Sequence, residues 1–143
     1  MLFDSNVWGP HYWFFLHTVA HSYPEHPNDI TKRKYYDLIQ NMPLFIPLPE
    51  MGNKFSQMLD KYPVKPYLDN RDSFIRWVHF IHNKFNYLLG KEEMSLQSGL
   101  DKYYAEYKPK PIYLSEKINI RKHIIHIFII LLLVFLIYVC YDS

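Results

Sequence analysis

The sequence predicts an all-α fold: a four-helix bundle with a short fifth helix, followed by an apolar helix of membrane-spanning length. Three observations predict it. Apolar residues recur at helical spacing in successive stretches, with prolines and glycines where helices must stop. No stretch carries a convincing strand pattern. The run Ile124–Tyr141 (IIHIFIILLLVFLIYVCY) holds no charge, and His126 is its only strongly polar residue. As a helix that run extends roughly 27 Å, enough to cross a hydrocarbon core, and it is apolar on every face.

Gly9-Pro10 opens the first helical pattern, with proline at a tolerated early position. Trp13, Leu16, His17 and Ala20 fall on one face, and Tyr23-Pro24 and Pro27 end the helix. Asn28 or Asp29 caps a second helix to about Met42, with Ile30, Tyr35, Leu38, Ile39 and Met42 inward. Pro43–Pro49 contains three prolines and is not expected to be regular helix. A third helix is expected from Pro49 to about Lys61, with Met51, Phe55, Met58 and Leu59 inward. After a proline-bearing loop, Asn70 or Asp72 starts the longest bundle helix, Ser73–Leu89. Its inward face is Phe74, Trp77, Val78, Ile81, Phe85 and Leu88, and Gly90 ends it. A weaker fifth helix covers about Ser95–Tyr107, with Gly99 in its middle.

The expected organisation is a bundle over 1–107, a linker over 108–123 containing Lys108-Pro109-Lys110-Pro111, and an anchor over 124–141. Lys117, Arg121 and Lys122 precede the apolar run, and only Asp142 and Ser143 follow it. Positive residues favour the cytoplasmic side, which predicts a single-pass tail anchor with the N-terminal domain cytosolic. The start MLFDSNVWGPHYWFF has no basic region or cleavage site of a secretory signal.

Among 143 residues the formal net charge is +2 and no basic run occurs, which argues against a nucleic-acid partner. The one cysteine, Cys140, lies within the apolar run. No intramolecular disulfide can form, which suits a reducing compartment. His17 and His21 have i, i+4 spacing compatible with a metal, but no suitable third ligand lies nearby in sequence, so no metal site is expected.

Two segments together carry a family resemblance. The first runs from Trp8-Gly9 through Trp13, Leu16-His17 and Ala20 to Tyr23-Pro24, and is similar to a W-G-x-x-x-W-x-x-L-H-x-x-A-x-x-Y-P pattern. The second, Trp77 through His82-Asn83, Asn86 and Leu89 to Lys91, is similar to W-x-x-x-x-H-N-x-V-N-x-x-L-x-K, with Phe85 in place of valine. Both, in this order and spacing, resemble the Erv/ALR family of FAD-linked sulfhydryl oxidases over roughly Trp8–Lys91. The resemblance implies a helical bundle holding FAD, with a C-x-x-C pair at the start of the third helix passing electrons to the flavin and then to oxygen. It implies cofactor-binding roles for Trp8, Gly9, Trp13, His17, Tyr23, Trp77, His82, Asn83, Asn86 and Lys91, with Lys91 at the phosphates. It also implies a homodimer through the first two helices.

The alignment departs from the family at its chemistry. Ile46-Pro47-Leu48-Pro49-Glu50-Met51 stands where the family has Y-P-C-x-x-C, so Leu48 and Met51 occupy the cysteine positions and no catalytic residue is assigned. Leucine has no redox chemistry, and a methionine thioether forms no disulfide. The expectation is a redox-inactive structural or interaction module. The alternative is a thiol oxidase using FAD, oxygen and a dithiol supplied by a partner. Two further readings stay open. His82, Asn83 and Asn86 are satisfied either by hydrogen bonds within the protein or by a bound adenine and ribose. Leu48 and Met51 either form an apolar lid over the flavin or simply fill the core. The abundance of Lys, Asn, Ile and Tyr resembles AT-rich coding, and large DNA viruses with internal membranes carry this family. A virion-membrane or capsid-associated protein is therefore the expected context.

Overall fold

The computed structural model describes residues 3–109 and 114–141, with side chains from 119 onward in the second stretch. Six α-helices make up its regular structure, apart from one 3-10 turn: α1 Ser5–His21, α2 Asp29–Phe45, α3 Pro49–Lys61, α4 Arg71–Leu88, α5 Leu96–Ala105 and α6 Leu114–Tyr141. The all-α expectation holds. The chain divides into two units, Met1–Glu106 and Tyr107–Ser143.

Local chemistry explains most helix ends. Asp4 accepts a hydrogen bond from the Asn6 N–H, so α1 starts a full turn before the expected Gly9-Pro10. Pro10 therefore lies inside α1, where it removes only the bond that would have reached the Asn6 carbonyl. Asn28, Asn70 and Ser95 cap α2, α4 and α5 through their side chains. Gly90 takes φ +68°, as expected of the residue that closes α4.

The proline-rich corner differs from expectation. α2 continues through Pro43 to Phe45, because a proline in the last turn costs one ladder bond and leaves the others intact. α3 then begins at Pro49, and the two helices come together at Gly52. A Cβ there would lie 2.6 Å from the Pro43 carbonyl oxygen, so only glycine allows this approach.

In the bundle unit α1 packs on α4 and α2 on α3, with α5 laid against α4. The core runs from Leu16 and Ala20 through Ile39, Met42, Phe55, Met58 and Leu59 to Phe74, Val78, Ile81 and Phe85. Two residues expected inward are exposed: Ile30, in the first turn of α2, and Leu88, in the last turn of α4. At these ends the neighbouring helices no longer cover the apolar stripe.

In the second unit α6 begins at Leu114, so the residues just before the apolar run, assigned from sequence to the linker, are helical. Residues 119–141 of α6 are exposed, and Asn119–Tyr141 is long and apolar enough to cross a membrane. Lys110-Pro111 of the expected stiff connector, the Lys117 side chain and the flank Asp142-Ser143 lie outside the described residues.

Candidate functional site

The helical register of α1 puts Trp13 and His17 one turn apart, and that of α4 puts His82 opposite both. The His82 ring stacks on Trp13 with centroids 4.1 Å apart and planes 8° from parallel. Its Nδ1 lies 3.1 Å from His17 Nε2, a hydrogen bond in which one ring donates and the other accepts. Phe85 and Phe55 meet Trp13 edge-on at 5.8 and 6.1 Å. Phe55 stands four residues after Met51 on α3, so Met51 shares the face that α3 turns toward Trp13.

Burial dominates the electrostatics. It pushes His17 down to about 4, helped by nearby His79 and His21. Burial pushes His82 down to about 3, helped by His17, His79, Lys102 and Lys91. Burial and then Arg71 also lower His21. At neutral pH the His17–His82 pair is uncharged, and it presents planar, polar-edged rings rather than a cation. Among the described residues no group of three or more His, Cys, Asp or Glu could hold a metal.

The ten residues implied by the family patterns do not all converge. Trp13, His17 and His82 form one wall. Trp8 sits on Tyr12, ring centroids 5.2 Å apart, and its indole N–H is buried with no hydrogen-bond partner among the described residues. A Cβ on Gly9 would meet nothing within 4 Å among the described residues. Tyr23 is fully buried in the core, with its hydroxyl donating to the Leu68 carbonyl at 2.8 Å. Trp77 is likewise in the core and donates from Nε1 to the Tyr62 carbonyl at 3.2 Å. Asn83 is satisfied internally: its Nδ2 donates to the Met94 carbonyl at 2.7 Å and its Oδ1 accepts from the Met94 N–H at 3.0 Å. Asn86 is buried, and its backbone carbonyl accepts from Leu89 and Lys91 N–H, closing α4. Lys91 is exposed just beyond that helix end.

Sequence patterns did not single out the α5 contacts. His79, read as structural, donates from Nε2 to the Met94 carbonyl at 3.0 Å beside Asn83. A Cβ at Gly99 would come within 2.8 Å of His79 Nδ1, so the glycine that weakens α5 as a helix is what lets it dock. Tyr103 then stacks on His21, centroids 4.4 Å apart and planes 6° from parallel, and donates to Thr18 Oγ1 at 3.2 Å. His21 Nε2 is buried with no hydrogen-bond partner among the described residues. Gly99 was the available signal: a glycine inside a helical pattern marks close approach as readily as weakness.

The bundle unit is a small helical domain with an aromatic, histidine-bearing cluster between its first and fourth helices, and the chain also carries a separate apolar helix. Comparison with known proteins makes the class specific. Residues 10–108 match the Erv1 / Alr family model, and the chain belongs to that family.

A probable FAD-linked sulfhydryl oxidase of Acanthamoeba polyphaga mimivirus is 29% identical over 72% of this chain and 73% of its own length. The FAD-linked sulfhydryl oxidase ERV1 of Arabidopsis thaliana is 32% identical over 55% of this chain and 40% of its own length. The yeast Erv1 core shares the fold, with a TM-score of 0.63 at 24% identity over 76% of this chain and 86% of that one. The FAD-binding domain of Erv1 from Saccharomyces cerevisiae gives a TM-score of 0.62 at 26% identity over 66% of this chain and 89% of that one.

Proposed function

We propose that this chain is a membrane-anchored flavin-holding bundle of the Erv1/Alr family that carries no dithiol chemistry of its own and acts as a structural or interaction module. One observation carries the reading: the only cysteine of 143 residues is Cys140, in the apolar helix. Oxidising a dithiol to a disulfide at the flavin needs two sulfurs able to bond each other beside it. Leu48, at the N-cap of α3, and Met51, in its first turn, are the residues that the sequence resemblance sets against that pair.

The bundle's side chains fit FAD. Among the described residues a buried indole N–H on Trp8 lacks an acceptor, a Cβ on Gly9 would meet nothing within 4 Å, and Trp13 stacked with His82 supplies planar aromatic surface. A nucleotide's acceptors and planar rings suit those features. We assign the holding role to Trp8, Gly9, Trp13, His17 and His82, with Lys91 at the phosphates. Asn83 positions the α4–α5 junction, while Tyr23 and Trp77 build the frame. When bound, flavin supplies two-electron chemistry between a thiol donor and oxygen. The neutral His17–His82 pair would add no charge to it, and the apolar Leu48 and Met51 side chains would shield it from water.

The anchor is α6, with the bundle on the cytosolic side, the side of Arg121 and Lys122. Exposed Val7 and Phe15 on α1, and Tyr36 and Leu44 on α2, support a homodimer through those helices. The viral relative supports a virion-membrane or capsid-associated context.

The visible spectrum of the full chain in mild detergent tests the reading. A flavin band near ~450 nm with no oxygen uptake on dithiothreitol is expected from a neutral-pH preparation, consistent with the absence of a thiol pair. Leu48→Cys with Met51→Cys should then confer oxygen consumption. Oxygen uptake by the native chain would instead establish the thiol oxidase alternative. A colourless protein not stabilised by added FAD would refute cofactor retention.

A further inference from the structure

Where α6 enters its apolar run, its surface is divided into two faces. At roughly 100° per residue, Asn119, Lys122, His123 and His126 fall within about 100° of arc. Ile120, Ile124 and Ile127 lie outside that arc, on a face that Arg121 shares. All of these residues are exposed. The polar stripe thus descends into the apolar segment on one side only, and His126 is its deepest member.

His126 is fixed rather than loose. Its Nδ1–H donates to the Lys122 carbonyl at 2.7 Å, which commits one ring nitrogen to the helix and leaves Nε2 free of that bond. Side chains on a helix tilt toward its N-terminus, so the ring leans toward the level of Lys122 and His123. Arg121 lies about 100° around the helix from Lys122, outside the stripe, so Lys122 is the permanent cation within it. No Asp or Glu occurs from Asn119 to Tyr141. The stripe therefore has positive charge and hydrogen-bonding groups with no anion of its own chain on this stretch.

We propose that the stripe Asn119–Lys122–His123–His126 is a binding site for the phosphate headgroup of an anionic phospholipid in the leaflet where α6 enters. The inference rests on α6 spanning the bilayer. At that depth the helix passes from phosphate to hydrocarbon, where Lys122 reaches upward to the phosphates and an imidazole meets headgroup and glycerol oxygens. A second copy of α6 is the wrong occupant, because two such stripes would set like charges against each other. An anionic headgroup supplies the missing charge, and the isoleucines outside the stripe meet lipid tails.

The test has two stages, both on the full chain. Flotation with phosphatidylcholine liposomes, resistant to alkaline carbonate, checks insertion; failure there removes the anchor and this inference with it. Native mass spectrometry from micelles with equal phosphatidylglycerol and phosphatidylcholine then reads selectivity. Phosphatidylglycerol should be retained over phosphatidylcholine by at least about fivefold for each basic residue engaged. Lys122→Gln with His126→Leu should abolish the preference. The swap Ile120→Lys with Lys122→Ile keeps the charge but moves it to the isoleucine face, and should also lose it. An inserted native chain with no lipid preference overturns the inference alone. Full selectivity in the swap overturns it too, because bulk charge rather than the stripe would then be responsible.

Discussion

Acidification should unfold the bundle through its paired histidines. An unfolded histidine titrates near 6.5, whereas folded His17 does so at about 4 and His82 at about 3. Between those values the unfolded chain binds more protons than the folded one, so stability falls as pH drops. The loss begins near pH 6.5 and continues until each folded value is passed. At pH 5 both rings are still neutral in the fold, and each costs on the order of 2 kcal/mol relative to pH 8. Together that is about 4 kcal/mol, a large share of the roughly 5–15 kcal/mol that holds a domain folded. His21, also lowered, acts in the same direction.

Urea unfolding of the full chain in non-ionic detergent measures this effect. All three tryptophans, Trp8, Trp13 and Trp77, lie in the bundle unit, so their fluorescence reports that unit alone. With an m-value of about 2 kcal/mol/M, the midpoint should fall by about 2 M between pH 7 and pH 5. His82→Phe keeps a ring against Trp13 and should roughly halve the shift. An equal midpoint at the two pH values, or an undiminished shift in His82→Phe, would refute the reasoning.

Three further outcomes follow from the packing. Gly52→Ala should destabilise the bundle by about 1–3 kcal/mol or more, read as a lower urea midpoint, because its Cβ would meet the Pro43 carbonyl at 2.6 Å and both helix backbones would have to shift. Asn83→Leu removes both side-chain bonds to the Met94 backbone; a loss of about 1–3 kcal/mol is expected, together with faster amide exchange in α5 than in α1. Phe15→Glu should convert a dimer to a monomer in light scattering while leaving the far-ultraviolet helical signal unchanged; an unchanged mass would place the dimer contact elsewhere or remove it.

The helix inventory was legible because an amphipathic helix writes its period into the sequence. The Asn28 and Asn70 caps and Gly90 marked ends that side-chain and backbone chemistry enforce locally. The start of α1 was missed because the Asp4 cap competes with Pro10 as a start signal, and one proline bond lost inside a long helix is tolerated. The exposure of Ile30 and Leu88 was not legible, since burial at a helix end depends on how far the neighbours extend.

The sequence by itself determined the class of fold, the apolar helix and the absence of a thiol pair, because hydrophobic period, run length and elemental composition are properties of the chain alone. Only tertiary structure decided which polar residues face one another. Trp13, His17 and His82 meet because α1 packs on α4. Tyr23, Trp77 and Asn83, which carry equal weight in the family patterns, spend their hydrogen bonds on Leu68, Tyr62 and Met94. A buried polar group takes the nearest partner that packing brings to it, and that partner lies many residues away along the chain.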